Sequence, residues 1–213
     1  MRIEMPNYAQ LERADLCDLL LEVGPDAPTL CDGWQTADLA AHLVIRERRP
    51  DAGPGLLIAA LAGYTNAVQR KVREKNSWAE LVNLVRSGPP FPLSIASIDE
   101  RMNTGEYFIH HEDVRRAQPG WQPRTLPPAL EESLWSGMSF MTRLLLKSAQ
   151  SGVVLDAGDY GHYEVKKGEP EVKVVGLPSE LLLFSFGRLE AARVSFEGDP
   201  GAVSQLKEAR FGL

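Results

Sequence analysis

Gly24-Pro25, Pro50, Gly88-Pro89-Pro90 and Pro119-Gly120 cut the first 150 residues into stretches too long for strands and patterned for helices. Glycine accepts the left-handed backbone that closes a helix, and proline lacks the N–H that would continue one. After Asn7, a capping residue, Leu11, Ala14, Leu16, Leu19, Leu20 and Val23 form an apolar stripe to the first stop. Thr36 is placed to cap a second helix through about Arg48, with Pro50 beyond it. Pro54 opens a stretch carrying Leu56, Leu57, Ala60 and Leu61, continued by Tyr64 to Glu74 after a break at Gly63. Ser77-Trp78-Ala79-Glu80 has capping-box spacing for a helix to about Arg86. A long helix is expected from about Ile95 to Ala117, and another from Pro127-Pro128 through Leu146.

The texture changes after Ser151-Gly152. Residues 153–157, 163–165 and 171–175 are short, β-branched and bounded by Gly or Pro, as strands are. Pro178 opens a helix ending near Arg188, a strand is expected from Ala192 to Phe196, and a last helix from about Pro200 to Arg210. The expected fold class is therefore mainly α with an α+β tail: a helical body over residues 1–150 and a small α+β domain over 151–213.

A formal charge of -6 argues against a non-specific grip on nucleic acid or an anionic membrane. No apolar run reaches the ~18 residues of a membrane span, and Met1-Arg2-Ile3-Glu4-Met5-Pro6 lacks the apolar core of a signal peptide. Cys17 falls in an apolar helical pattern and reads as a small core residue; Cys31 precedes the Asp32-Gly33 turn. Without CxxC spacing or a framework count, the two cysteines point to a reducing, cytoplasmic setting.

The chemistry-bearing stretch is Glu106-Tyr107-Phe108-Ile109-His110-His111-Glu112-Asp113-Val114-Arg115-Arg116. On a helix Glu106 and His110 stand one turn apart on one face. His111 points about 100 degrees away, so His110 is preferred as a ligand. His42, sharing its helix face with Leu39, Leu43 and Arg46, completes a His2Glu set of the kind that holds zinc with one open position. Asp113 is then a natural acceptor for an imidazole N–H. Spacing alone leaves another reading open, in which His42 is a hydrogen-bonded core histidine, Glu106 a surface carboxylate, and Asp113 the ion-pair partner of Arg116 or Arg46.

The run Leu30-Cys31-Asp32-Gly33-Trp34-Gln35-Thr36-Ala37-Asp38-Leu39-Ala40-Ala41-His42-Leu43 resembles the N-terminal motif of the mycothiol-dependent maleylpyruvate isomerase family, within the DinB-like superfamily. The stretch from Glu106 to Ala117 is similar to that family's second motif, and Gly176 to Arg188 to its C-terminal domain. The resemblance leads to an uncharacterised actinobacterial branch marked by His-His-Glu-Asp-Val-Arg-Arg. It implies a DinB-like four-helix bundle followed by a sterol-carrier-like domain. It also implies a divalent metal, usually zinc with nickel or iron as alternatives, on His42, Glu106 and His110.

The expected activity is metal- and thiol-dependent isomerisation or transfer on a small electrophile, with mycothiol as cosubstrate and the protein a monomer or homodimer. Arg188 is the candidate catalytic residue, to hold a substrate carboxylate; the alternative for it is a cap on helix-end carbonyls. The rival from another class is a non-catalytic protein whose metal is structural.

Overall fold

The computed structural model describes residues 7–56, 58–209 and 211; the expectations for residues 1–6, Leu57 and Arg210 lie outside these. Helix α1 (Tyr8–Val23) begins where the Asn7 side chain accepts from the Gln10 N–H at 3.0 Å. It ends at Gly24, whose φ of 83° is closed to most side chains. Helix α2 (Thr36–Arg48) starts one residue earlier than a Thr36 cap would allow. Thr36 is its first residue, and its hydroxyl donates to the Gly24 carbonyl at 2.5 Å. The Gln35 N–H is held by the Asp38 carboxylate instead.

The helix expected from Pro54 is replaced by two 3-10 turns, Gly53–Leu56 and Ala59–Leu61. Gly55 lies so close to Thr65 and the Leu61 carbonyl that no Cβ would fit there, which holds the chain in a tight turn. Helix α3 (Ala62–Lys75) then runs through Gly63 without the expected break. In α4 (Trp78–Arg86) the capping box forms as expected, with the Ser77 N–H donating to Glu80 and the Glu80 N–H to the Ser77 hydroxyl. Helix α5 (Ala96–Arg115) carries the chemistry-bearing stretch.

Leu16 and Leu20 of α1, Leu39 and Leu43 of α2, Leu81 of α4 and Tyr107 of α5 meet in one buried core. Each such side chain contributes about 1.5–3 kcal/mol by leaving water. Cys17 belongs to this core as expected, and burial pushes its thiol up to about 11.

By contacts the chain divides between Pro123 and Arg124. The helix α6 (Pro128–Leu145), assigned by sequence texture to the first 150 residues, thereby belongs to the second, C-terminal unit. In this unit the strands are β1 (Gly152–Asp156), β2 (His162–Lys166), β3 (Glu171–Val175) and β4 (Ser195–Gly198). They form one sheet in the order β2-β1-β3-β4, with β1 and β3 parallel and both edge pairs antiparallel. Val153 and Leu155 of β1, with Val172 and Val174 of β3, are buried.

Helix α7 (Pro178–Ser185) leans on α6, where the Glu131 carboxylate accepts from the Ser179 N–H and hydroxyl at the α7 N-terminus. Strand β4 begins later than the expected Ala192, because the Arg193 N–H is engaged by the Glu180 carboxylate. Helix α8 (Pro200–Glu208) completes the described chain. The molecule is thus mainly helical with a small four-stranded sheet. Among the described residues no helix is long and apolar enough to cross a membrane.

Candidate metal centre

Helix α2 presents His42, and one turn of α5 presents Glu106 and His110. A ligand atom of each lies within 4.8 Å of the other two. Glu106 Oε2 is 3.7 Å from His110 Nε2, and the rings of His42 and His110 meet edge to face at 5.1 Å between centroids. In a tetrahedral zinc site with bonds of about 2.0–2.1 Å, neighbouring donors sit about 3.4 Å apart. The three donors therefore fit a divalent ion with small adjustments of the side chains, and their chemistry, two imidazole nitrogens and a carboxylate oxygen, is that of a borderline divalent metal. Among the described residues this set comprises three donors, so a bound ion would keep a position for an external ligand.

The neighbouring side chains hold two of these three donors in place. His110 Nδ1 lies 3.0 Å from Oδ2 of Asp113, which is fully buried one turn further along α5. A proton on Nδ1 is thus held by a carboxylate while Nε2 faces Glu106, the arrangement that fixes a ligating histidine's tautomer. Arg46, one turn beyond His42 on α2, reaches across to α5. Its Nε sits 3.3 Å from Glu106 Oε2, and its Nη1 donates to Asn103 at 2.5 Å. The Arg46 guanidinium pairs with Glu106. Arg116 pairs with Glu112 at 2.6 Å. Asp113 Oδ2 is within hydrogen-bond distance of His110 Nδ1.

His111 is buried as well, on a different side of α5 from His110. The helix has packing partners on more than one side, and His111 Nδ1 meets Glu12 of α1 at 2.7 Å. His111→Ala should leave metal content at the wild-type level while lowering stability by about 1–3 kcal/mol, because Glu12 loses a buried partner. Metal analysis and a thermal melt check this, and loss of metal would mean that the wrong histidine has been chosen.

Cys31 is a neighbour that its sequence context barely signals. The connector between α1 and α2 is tied to α5 by the Leu30 N–H, which donates to the Asp113 carbonyl at 3.0 Å. A tight turn follows, closed by the Trp34 N–H on the Cys31 carbonyl and made accessible by Gly33 at φ 73°. The result places the Cys31 thiol 3.2 Å from Asp113 Oδ2, to which it donates. Cys31, Asp113 and His110 form a second group of donors within 4.8 Å of one another. The position of Cys31 before a turn is the one available signal, and it says nothing about which helix the turn docks on.

Trp34 packs on His42 with ring centroids 5.1 Å apart. It borders two open hollows of about 300 and 350 Å³, one lined by Asp38, Gln69, Arg70 and Arg73, the other by Thr29, Cys31 and Asp32. Arg188 belongs to the second unit, just past α7, where its Nη1 donates to the Phe186 carbonyl at 2.5 Å. That contact caps a carbonyl at the helix end.

No protein-family model matches the chain. No curated protein matches it either. Two solved structures do: the mycothiol-dependent maleylpyruvate isomerase and a histidine-to-alanine mutant of that enzyme. Each superposes with a TM-score of 0.54 at 18% sequence identity, over 91% of this chain and 94% of the other. Likeness at that identity is one of fold.

Proposed function

We propose that this chain binds a divalent metal through His42, Glu106 and His110. We further propose that it uses the metal, together with a low-molecular-weight thiol of the mycothiol class, to isomerise or thiolate a small electrophilic substrate. The observation that carries the reading is the convergence of those three donors, from two helices, to within 4.8 Å of one another. The fold shared with a mycothiol-dependent isomerase supports the thiol. On this reading the helical unit is a DinB-like bundle, the C-terminal unit is sterol-carrier-like, and the protein works in the cytoplasm. Zinc is the proposed ion, with nickel or iron the alternatives that suit the same donors.

When bound, such an ion lowers the pKa of a coordinated thiol or water enough to give a nucleophile at neutral pH. The protein's own residues do the rest. Asp113 keeps the proton of His110 on Nδ1, leaving the Nε2 lone pair for coordination. Arg46 holds Glu106 in place through the contact to Oε2. Trp34 packs against the His42 ring at a tilt. The hollow beside Cys31 and Trp34 has the room of a small-molecule site.

Mycothiol or a close analogue should raise the melting temperature of the metal-loaded protein and leave that of the metal-free protein unchanged. Saturation at 100 times the dissociation constant corresponds to about 2.7 kcal/mol. Equal shifts in the two forms would refute thiol ligation to the metal.

A further inference from the structure

We propose that His110 is a pivot between two alternative metal positions. One is the His42–Glu106–His110 set; the other, built from Cys31, Asp113 and the opposite edge of the same ring, takes softer, thiolate-preferring ions. Only the first position rests on the proposed function.

The geometry is nearly symmetrical about the imidazole. Nε2 faces Glu106 Oε2 at 3.7 Å and Nδ1 faces Asp113 Oδ2 at 3.0 Å, so each ring nitrogen looks at a carboxylate. Behind Glu106 stands the second imidazole, His42; behind Asp113 stands the Cys31 thiol, 3.2 Å from the same Oδ2 that meets His110. Both groups satisfy the same closeness, every donor within 4.8 Å of the others.

A neutral imidazole has one lone pair and one N–H, on opposite nitrogens. With an ion on Nε2, the proton sits on Nδ1 and Asp113 accepts it. With an ion on Nδ1, the proton sits on Nε2 and points towards Glu106, which must close from 3.7 Å to accept it. Each carboxylate is therefore a ligand in one state and the hydrogen-bond partner of the ligating histidine in the other, which is the support that metal-bound histidines require. Because the ring offers a single lone pair at a time, occupation of one position excludes the other.

Ion softness decides between them. Imidazole with carboxylate suits manganese and iron, a thiolate draws softer ions, and zinc accepts either. Coordination of Cys31 expels the thiol proton to solvent; no redox change is involved. Half-exposed Cys31 borders an open hollow, so an ion can reach it, unlike the core thiol of Cys17.

The test loads metal-free protein with Mn2+, read by the loss of its free-ion paramagnetic resonance signal, and then adds Cd2+, read by ultraviolet thiolate-to-cadmium absorption. Wild-type protein should take up roughly one Mn2+ per chain. Added Cd2+ should release it about one for one as the thiolate absorption grows, since the two positions share His110. Cys31→Ser and Cys31→Ala, checked by circular dichroism to be folded, should keep Mn2+ and lose the absorption. His42→Ala should lose Mn2+ and keep the absorption.

Three results overturn the pivot: no thiolate absorption in the wild type, its survival in both Cys31 variants, or Cd2+ and Mn2+ bound together without displacement. Retention of Mn2+ by His42→Ala instead overturns the first position itself, and the pivot with it.

Discussion

His110→Ala protein, purified from cells grown with added zinc, should carry less than about a tenth of the wild-type metal content. Loss of an outer hydrogen-bond partner to a metal ligand already lowers affinity about 10–100-fold, and His110 is itself a ligand. Its ring also stands against His42 and between the carboxylates of Glu106 and Asp113. Removing it leaves one histidine and one carboxylate on the first set, too few to hold a borderline ion against solvent. Plasma emission analysis of dialysed protein is the measurement. Circular dichroism must show that the helices persist, which is expected because His110 takes no part in the common core of Leu16, Leu39, Leu81 and Tyr107. Unchanged metal content in a folded variant would sink the assignment.

The contrast between His110 and His111 shows how far the sequence could be read. Spacing on one helix is a local property, so the closeness of Glu106 and Asp113 to His110 was legible before any fold was known. The start and stop signals were legible for the same reason: Gly24, the Ser77–Glu80 box and Pro128 act through backbone groups within a few residues of themselves. What could not be read depends on contacts between residues far apart in the chain. Cys31 meets Asp113 across 82 positions, His111 meets Glu12 across 99, and Arg46 meets Asn103 across 57. No periodicity encodes those meetings. The strand expected from Ala192 slipped for a related reason, since the carboxylate that takes the Arg193 N–H lies on a separate helix. The grouping of α6 with the sheet likewise goes with contacts that leave no trace in apolar spacing, Glu131 at the α7 N-terminus and Thr142 on Tyr163 of β2.

Arg13→Ala should destabilise the helical unit strongly, costing about 3–5 kcal/mol, because it strands buried carboxylates without their cation. Arg13 on α1 donates to both oxygens of Asp99 on α5, at 2.7 and 3.0 Å, and to Glu47 on α2 at 3.1 Å. All three are at most 6% exposed. Tyr107 donates to Glu47 at 2.8 Å, and the Arg13 guanidinium lies over its ring at 4.4 Å. One cation thus ties together three helices, among them the two that bring His42, Glu106 and His110 into register.

Burial already raises the Glu47 carboxyl, opposed chiefly by Arg13 and Tyr107. A carboxyl whose pKa is raised by folding contributes stability that is present at low pH and lost as pH rises through the folded value. Without Arg13 the Glu47 carboxyl rises further, so the deficit of the variant should be smaller in acid and grow towards neutral pH. Thermal melts across that range should show a drop of about 10 °C at neutral pH. The double variant Arg13→Ala/Glu47→Gln, which removes one stranded charge, should recover part of the loss. A single-variant cost below about 1 kcal/mol, or a double variant no better than the single, would show that the network is not what holds these helices together.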